Sequence, residues 1–126
     1  MTGTPRLKSF APQLLVDDLD RAVAFYRDVF GFVFGAPWGG FYAIGERDGF
    51  AVHLKCASKT IEDRANRKRH EHLDAYADVV GVAALYDSCK AKGVTIVKPL
   101  GHTPWGTHDF YVEDPDGYII AFGEQS

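Results

Sequence analysis

The chain has 126 residues, 46% of them hydrophobic and 13% aromatic. This suits one compact domain that buries roughly two-thirds of its unfolded surface and needs neither metal nor disulfide to hold it together. A formal net charge of −3 disfavours binding to a phosphate backbone, no apolar run reaches membrane-spanning length, and the N-terminus lacks a signal-peptide core. Nucleic acid and membrane are therefore not expected partners.

In chain order, Met1–Ser9 is polar and reads as a loose arm. Pro12–Val16 reads as a strand, and because Pro12 has no N–H to donate, the strand belongs at an edge or where pairing changes hands. Asp18 is a good N-cap for a helix over Leu19–Phe30, whose apolar stripe is Leu19, Ala22, Val23, Tyr26, Val29 and Phe30 and which ends at Gly31. Phe41–Gly45 leads to a turn at Asp48-Gly49 and a return strand over Phe50–Lys55. Ala57–His72 (ASKTIEDRANRKRHEH) holds a basic cluster of Arg64, Arg67, Lys68 and Arg69, read either as a solvated inter-module loop or short surface helix, or as an anion-recruiting flap over a ligand site. Leu73–Val79 reads as a strand and Val82–Lys92 as a helix ending at Gly93, although Val80-Gly81 offers that helix no side-chain cap. Trp105–Glu124 is a hairpin turning at Asp116-Gly117. Cys56 and Cys89 stand in no metal-ligand spacing and read as reduced thiols of a cytoplasmic protein.

The two halves repeat one grammar, β-α-β-β-β, so the expected fold is α+β: a single domain over 1–126 made of two modules, about 10–58 and 72–124, forming a curved, cleft-enclosing mixed sheet with helices on its outer face. Superposing the halves on Gly49 and Gly117 matches His53 with Ala121, and superposing them on Val16 and Val79 matches Ala11 with Asp74. Alternation assigns Pro12, Leu14, Val16, Phe50, Val52, Leu54, Ala75, Ala77, Val79, Tyr118, Ile120 and Phe122 to the helix side. The other side receives Ala11, Gln13, Phe41, His53, Lys55, Asp74, Tyr76, Asp78, Tyr111 and Ala121, a mixture of aromatic, small and polar groups that suits a lined cleft.

Pro12–Phe32 (PQLLVDDLDRAVAFYRDVFGF) and Trp105–Glu124 resemble the paired signature segments of the vicinal oxygen chelate superfamily, which comprises glyoxalases, bleomycin-resistance proteins and extradiol dioxygenases. The resemblance runs from Phe10 to Glu124. It implies one metal ligand on each of four strands in the enzymes, at positions matching Ala11, His53, Asp74 and Ala121. Two of these are alanine here, so the expectation is no metal and no cofactor, with His70 or His72 as substitutes only in a slipped register. Pro12 and Pro104-Trp105-Gly106 are similar to the bleomycin-resistance branch, which implies a metal-free homodimer that sequesters an antibiotic or other planar aromatic ligand.

The expected activity is therefore small-molecule binding without turnover. The ligand would meet Trp105, Trp38, Phe41, Tyr76 and Tyr111 as walls, with Gln13, His53 and Asp74 as polar contacts. Trp38 would lid the cleft from a loop tip. The alternative is an enzyme of the same superfamily, a lyase, isomerase or dioxygenase, with His53 and Asp74 as its catalytic groups. A regulatory subunit follows if side chains fill the cleft. The basic loop leaves a neutral or anionic ligand as plausible as a cationic one.

Overall fold

A computed structural model describes residues 3–57 and 64–126 of the chain. The first module runs β1 (Gln13–Val16), α1 (Leu19–Phe30), β2 (Val33–Phe34), β3 (Tyr42–Arg47) and β4 (Phe50–Cys56). A short helix α2 (Arg64–Arg69) precedes the second module: β5 (Ala75–Asp78), α3 (Val82–Ala91), β6 (Thr95–His102), β7 (Thr107–Glu113) and β8 (Ile119–Gln125). Each module is β-α-β-β-β. The strands form two four-stranded mixed sheets, ordered β1-β4-β3-β2 and β5-β8-β7-β6. Among the described residues no ladder joins the two into one sheet, so the strands do not close a barrel.

Local chemistry sets most element ends. Asp18 Oδ1 accepts from Arg21 N at 3.0 Å and opens α1; Gly31, at φ 75°, closes it with its amide on Arg27 O. The β3–β4 turn places Asp48 at φ 52° and Gly49 at φ 86°, the left-handed pair that a two-residue hairpin requires. Helix α3 begins at Gly81, which has no side-chain acceptor. Glu124 of β8 supplies one instead, its Oε1 accepting from both Gly81 N and Val82 N at 3.0 Å.

The internal repeat survives in the ladders. Gln13 pairs with His53 in the parallel β1–β4 ladder, and Tyr76 pairs with Ala121 in the parallel β5–β8 ladder. These are equivalent rungs under the superposition that matches His53 with Ala121. Leu14, Val16, Val52, Leu54, Tyr118, Ile120 and Phe122 lie buried in one core with Tyr26 and Phe30 of α1 and Cys89 of α3, and Ala75, Ala77 and Val79 pack against it. Two expected members are absent. Pro12 lies just before β1, exposed, with its carbonyl accepting from His53 N at 3.0 Å. Phe50 stands at the turn end of β4, past the core, and is 74% exposed.

Contacts across the modules are concentrated at the β7–β8 turn. The Tyr118 hydroxyl accepts from Leu15 N at 2.9 Å and donates to Leu15 O at 2.8 Å, occupying the edge of β1 as a neighbouring strand would. Asp116 Oδ1 takes Asp17 N and the Arg21 guanidinium. Asp114 accepts from Asp116 N, Tyr118 N and, at 2.6 Å, the Tyr26 hydroxyl. Burial pushes the Asp114 carboxyl up to about 6 and the Tyr26 hydroxyl well above its ordinary value.

Candidate functional site

Because the helix-facing sides of both sheets share one core, their other sides point away from it, and each presents its own set of groups. On the first sheet, β1, β4 and β3 bring Gln13, His53 and Ile44 into one row. Tyr42 joins this row from the next rung. Gln13 Nε2 donates to Tyr42 Oη at 2.8 Å, and Tyr42 Oη lies 2.8 Å from His53 Nδ1. Tyr42 Oη thus links Gln13 and His53 into one hydrogen-bonded row.

Beside this row opens a groove of about 320 Å³ lined by Gly35, Ala36, Trp38, Tyr42 and Ile44. Trp38 is 74% exposed, and its backbone is bridged to Tyr42, with Trp38 N donating to Tyr42 O at 2.7 Å. Phe41 packs edge-on against Trp38 with ring centres 6.1 Å apart. A Cβ at Gly39 would stand 2.8 Å from the Phe41 ring and would push that ring aside.

The second sheet presents a charged face. Asp74 Oδ1 accepts from Arg67 of α2 at 2.6 Å, Oδ2 accepts from the same nitrogen, and Oδ2 also takes Ile119 N at 2.9 Å. This carboxylate is thus spent on anchoring α2 to the sheet rather than left for a ligand. Lys68 reaches Glu113 at 2.9 Å and Arg64 donates to Pro115 O at 2.8 Å, so three of the four clustered cations are held by the second module. Tyr76 donates to buried Asp109 at 3.2 Å; partial burial and the Asp109 carboxylate raise its hydroxyl above the usual tyrosine range. Tyr111 is buried with Ile119 and Ala121, and Lys98 lies over its ring. Trp105, 67% exposed, stands at the tip of the β6–β7 hairpin.

The residues expected in one cleft thus divide between the two modules of a single chain: Gln13, Trp38, Phe41 and His53 in the first, and Asp74, Tyr76, Trp105 and Tyr111 in the second. Sequence reasoning missed Tyr42 and Ile44. It assigned Phe41 to the open face, but β3 begins at Tyr42, and counting back from the Asp48-Gly49 turn puts Tyr42 opposite Lys55 and Ile44 opposite His53. Asp109 was missed as well, and no local pattern marks it.

A divalent metal of the kind implied by the resemblance does not fit. Ala11 and Ala121 offer no donor, Asp74 is held by Arg67, and among the described residues no three His, Cys, Asp or Glu side chains gather around one point.

Two β-α-β-β-β modules built about one core, each with an open sheet face, define a paired-module α+β fold. Residues 6–122 match the family described as the Glyoxalase/Bleomycin resistance protein/Dioxygenase superfamily, and the chain belongs to it. It is 32% identical over 122 residues to a lactoylglutathione lyase of Haemophilus influenzae, covering 88% of this chain and 87% of that one. Among solved structures it is similar to TioX from Micromonospora sp. ML1, at 23% identity and a TM-score of 0.75 over 94% of this chain and 99% of that one. It is also similar to a glyoxalase/bleomycin resistance protein/dioxygenase from Alicyclobacillus acidocaldarius, at 15% identity and a TM-score of 0.78 over 94% and 91% of the two chains. These two likenesses establish the fold.

Proposed function

We propose that the protein binds a small planar molecule in the aromatic groove of its first sheet and releases it unchanged. The observation that carries this reading is the Trp38–Tyr42–Ile44 groove beside the Gln13–Tyr42–His53 hydrogen-bonded row, in a chain whose donor set does not suit a catalytic metal. Stacking on Trp38 would supply area, and the His53 ring would supply one oriented polar contact.

The working unit in this proposal is a homodimer. One chain turns its two open faces away from each other, and Trp38, Ile44 and Tyr76 remain exposed. A second copy laying its Tyr76 and Trp105 face over the first-sheet groove would unite the two residue sets into one cleft. Cys56 and Cys89, both free thiols, support a reducing compartment such as the cytoplasm. Among the described residues no helix is long and apolar enough to cross a membrane.

The Haemophilus influenzae relative named lactoylglutathione lyase favours a second reading, an enzyme of that kind. A thermal-shift screen of planar aromatic compounds separates the two. A hit should quench tryptophan fluorescence, weaken about 5- to 150-fold in Trp38→Ala, as expected of an aromatic anchor worth about 1–3 kcal/mol, and be recovered intact. Lactoylglutathione lyase turnover with added divalent metal would overturn the binding reading. Sedimentation as a single-chain mass at micromolar concentration would remove the dimer.

A further inference from the structure

We propose that His102 and His108 form a surface site for a divalent transition-metal ion of the Ni²⁺, Cu²⁺ or Zn²⁺ class. The site is independent of the groove and of the four strand positions discussed above. His102 ends β6 and His108 is the second residue of β7, and the two are direct partners in the antiparallel ladder. Their Nε2 atoms lie 3.0 Å apart and their ring centres 3.8 Å apart. An ion held at roughly 2.0–2.1 Å from each of two imidazole nitrogens, at neighbouring right-angled coordination positions, requires those nitrogens to be about 2.9 Å apart.

Three further features suit an ion. Ser126 Oγ lies 3.0 Å from His108 Nδ1; by accepting the Nδ1 proton it leaves the Nε2 lone pair free, the orienting role that outer partners of metal-bound histidines play. The hairpin end is fixed: Thr103 N donates to Thr107 O at 2.8 Å and Thr107 N to Thr103 Oγ1 at 3.0 Å, so the two imidazoles are brought together before any ion arrives. Glu124, the ladder partner of His108, brings a negative charge to this side of the sheet while its Oε1 caps α3. With two protein ligands, the remaining positions go to water or to another molecule, so the affinity is micromolar and the ion exchanges readily. Once bound, it ties β6 to β7 beside the Pro104-Trp105-Gly106 tip and stiffens the segment that presents Trp105.

The test is calorimetric titration of untagged, chelator-treated full chain with NiCl₂ at pH 7.5. One ion per chain with micromolar affinity is expected. His102→Gln and His108→Gln, both checked for folding by circular dichroism, should each weaken it at least tenfold, and His53→Gln should leave it unchanged. Ni²⁺ should raise the melting temperature of the native protein and not that of the two variants. Binding retained in both variants would place the ion away from His102 and His108 and overturn the proposal, as would affinity no better than millimolar in the native chain.

Discussion

Replacing Tyr118 by Phe removes one oxygen and keeps the ring in the core. That oxygen makes two bonds, accepting from Leu15 N at 2.9 Å and donating to Leu15 O at 2.8 Å. A hydrogen bond contributes about 0.5–1.5 kcal/mol net, and a buried backbone group left without a partner costs about 1–3 kcal/mol. The Leu15 peptide groups are only partly buried, so water recovers some of this loss, and roughly 2 kcal/mol is expected. For a chain of this size the entropy of unfolding is near 0.26 kcal/mol per degree, which translates to a fall of about 8 °C in Tm. Urea unfolding should show a lower midpoint with an unchanged slope, because the surface exposed on unfolding is the same. Tyr86→Phe is the control: among the described residues its hydroxyl makes no hydrogen bond, so its midpoint should barely move. A Tyr118→Phe shift as small as that of the control would refute the role of the hydroxyl as a surrogate strand neighbour.

Asp114 should make stability depend on pH in the reverse of the usual carboxylate sense. Its carboxyl is raised from 3.8 to about 6 in the fold, so the folded state holds more protons between those values and this group's contribution falls as pH rises through that window. Two units correspond to roughly 3 kcal/mol, and Asp114→Asn should lack this component when denaturation is compared at pH 4 and pH 7. Arg67→Ala should cost about 1–3 kcal/mol by leaving the largely buried Asp74 carboxylate with Ile119 N as its main partner, and limited proteolysis should then cut faster near α2. Gly117→Ala should lower stability by about 1–2 kcal/mol because φ is +95° there, while Gly3→Ala, in open space, should be silent in the same melt.

Features written in local chemistry were legible in the sequence. Asp18 and Gly31 bound α1 because the cap and the left-handed residue act within one turn; Asp48-Gly49 is the two-residue loop that dictates the β3–β4 register, and Asp116-Gly117 marks the longer turn between Glu113 and Ile119. Alternation sorted most of β1, β4 and β8 correctly. It failed by one residue at β3, where starting the strand at Phe41 instead of Tyr42 exchanged the two faces. The two-residue β2 carries too little pattern to read. The cluster Arg64, Arg67, Lys68 and Arg69 was visible, but which acids it meets depends on where α2 docks. Asp109 and the outward orientation of the two open faces depend on how the modules pack, which no local spacing encodes.

Glu124 caps α3 from a position 43 residues beyond Gly81, and the Tyr118 hydroxyl meets a strand 103 residues earlier. At a synthesis rate of about 5–20 residues per second, β1 waits some seconds on the ribosome for the hydroxyl that covers its edge, and α3 frays at its start until β8 has been made. Closing such long loops before their contacts form slows folding. The second module's hairpin therefore arrives after both elements it completes and commits both halves, so native-state hydrogen exchange at Leu15 and Val82 should report on the same opening event.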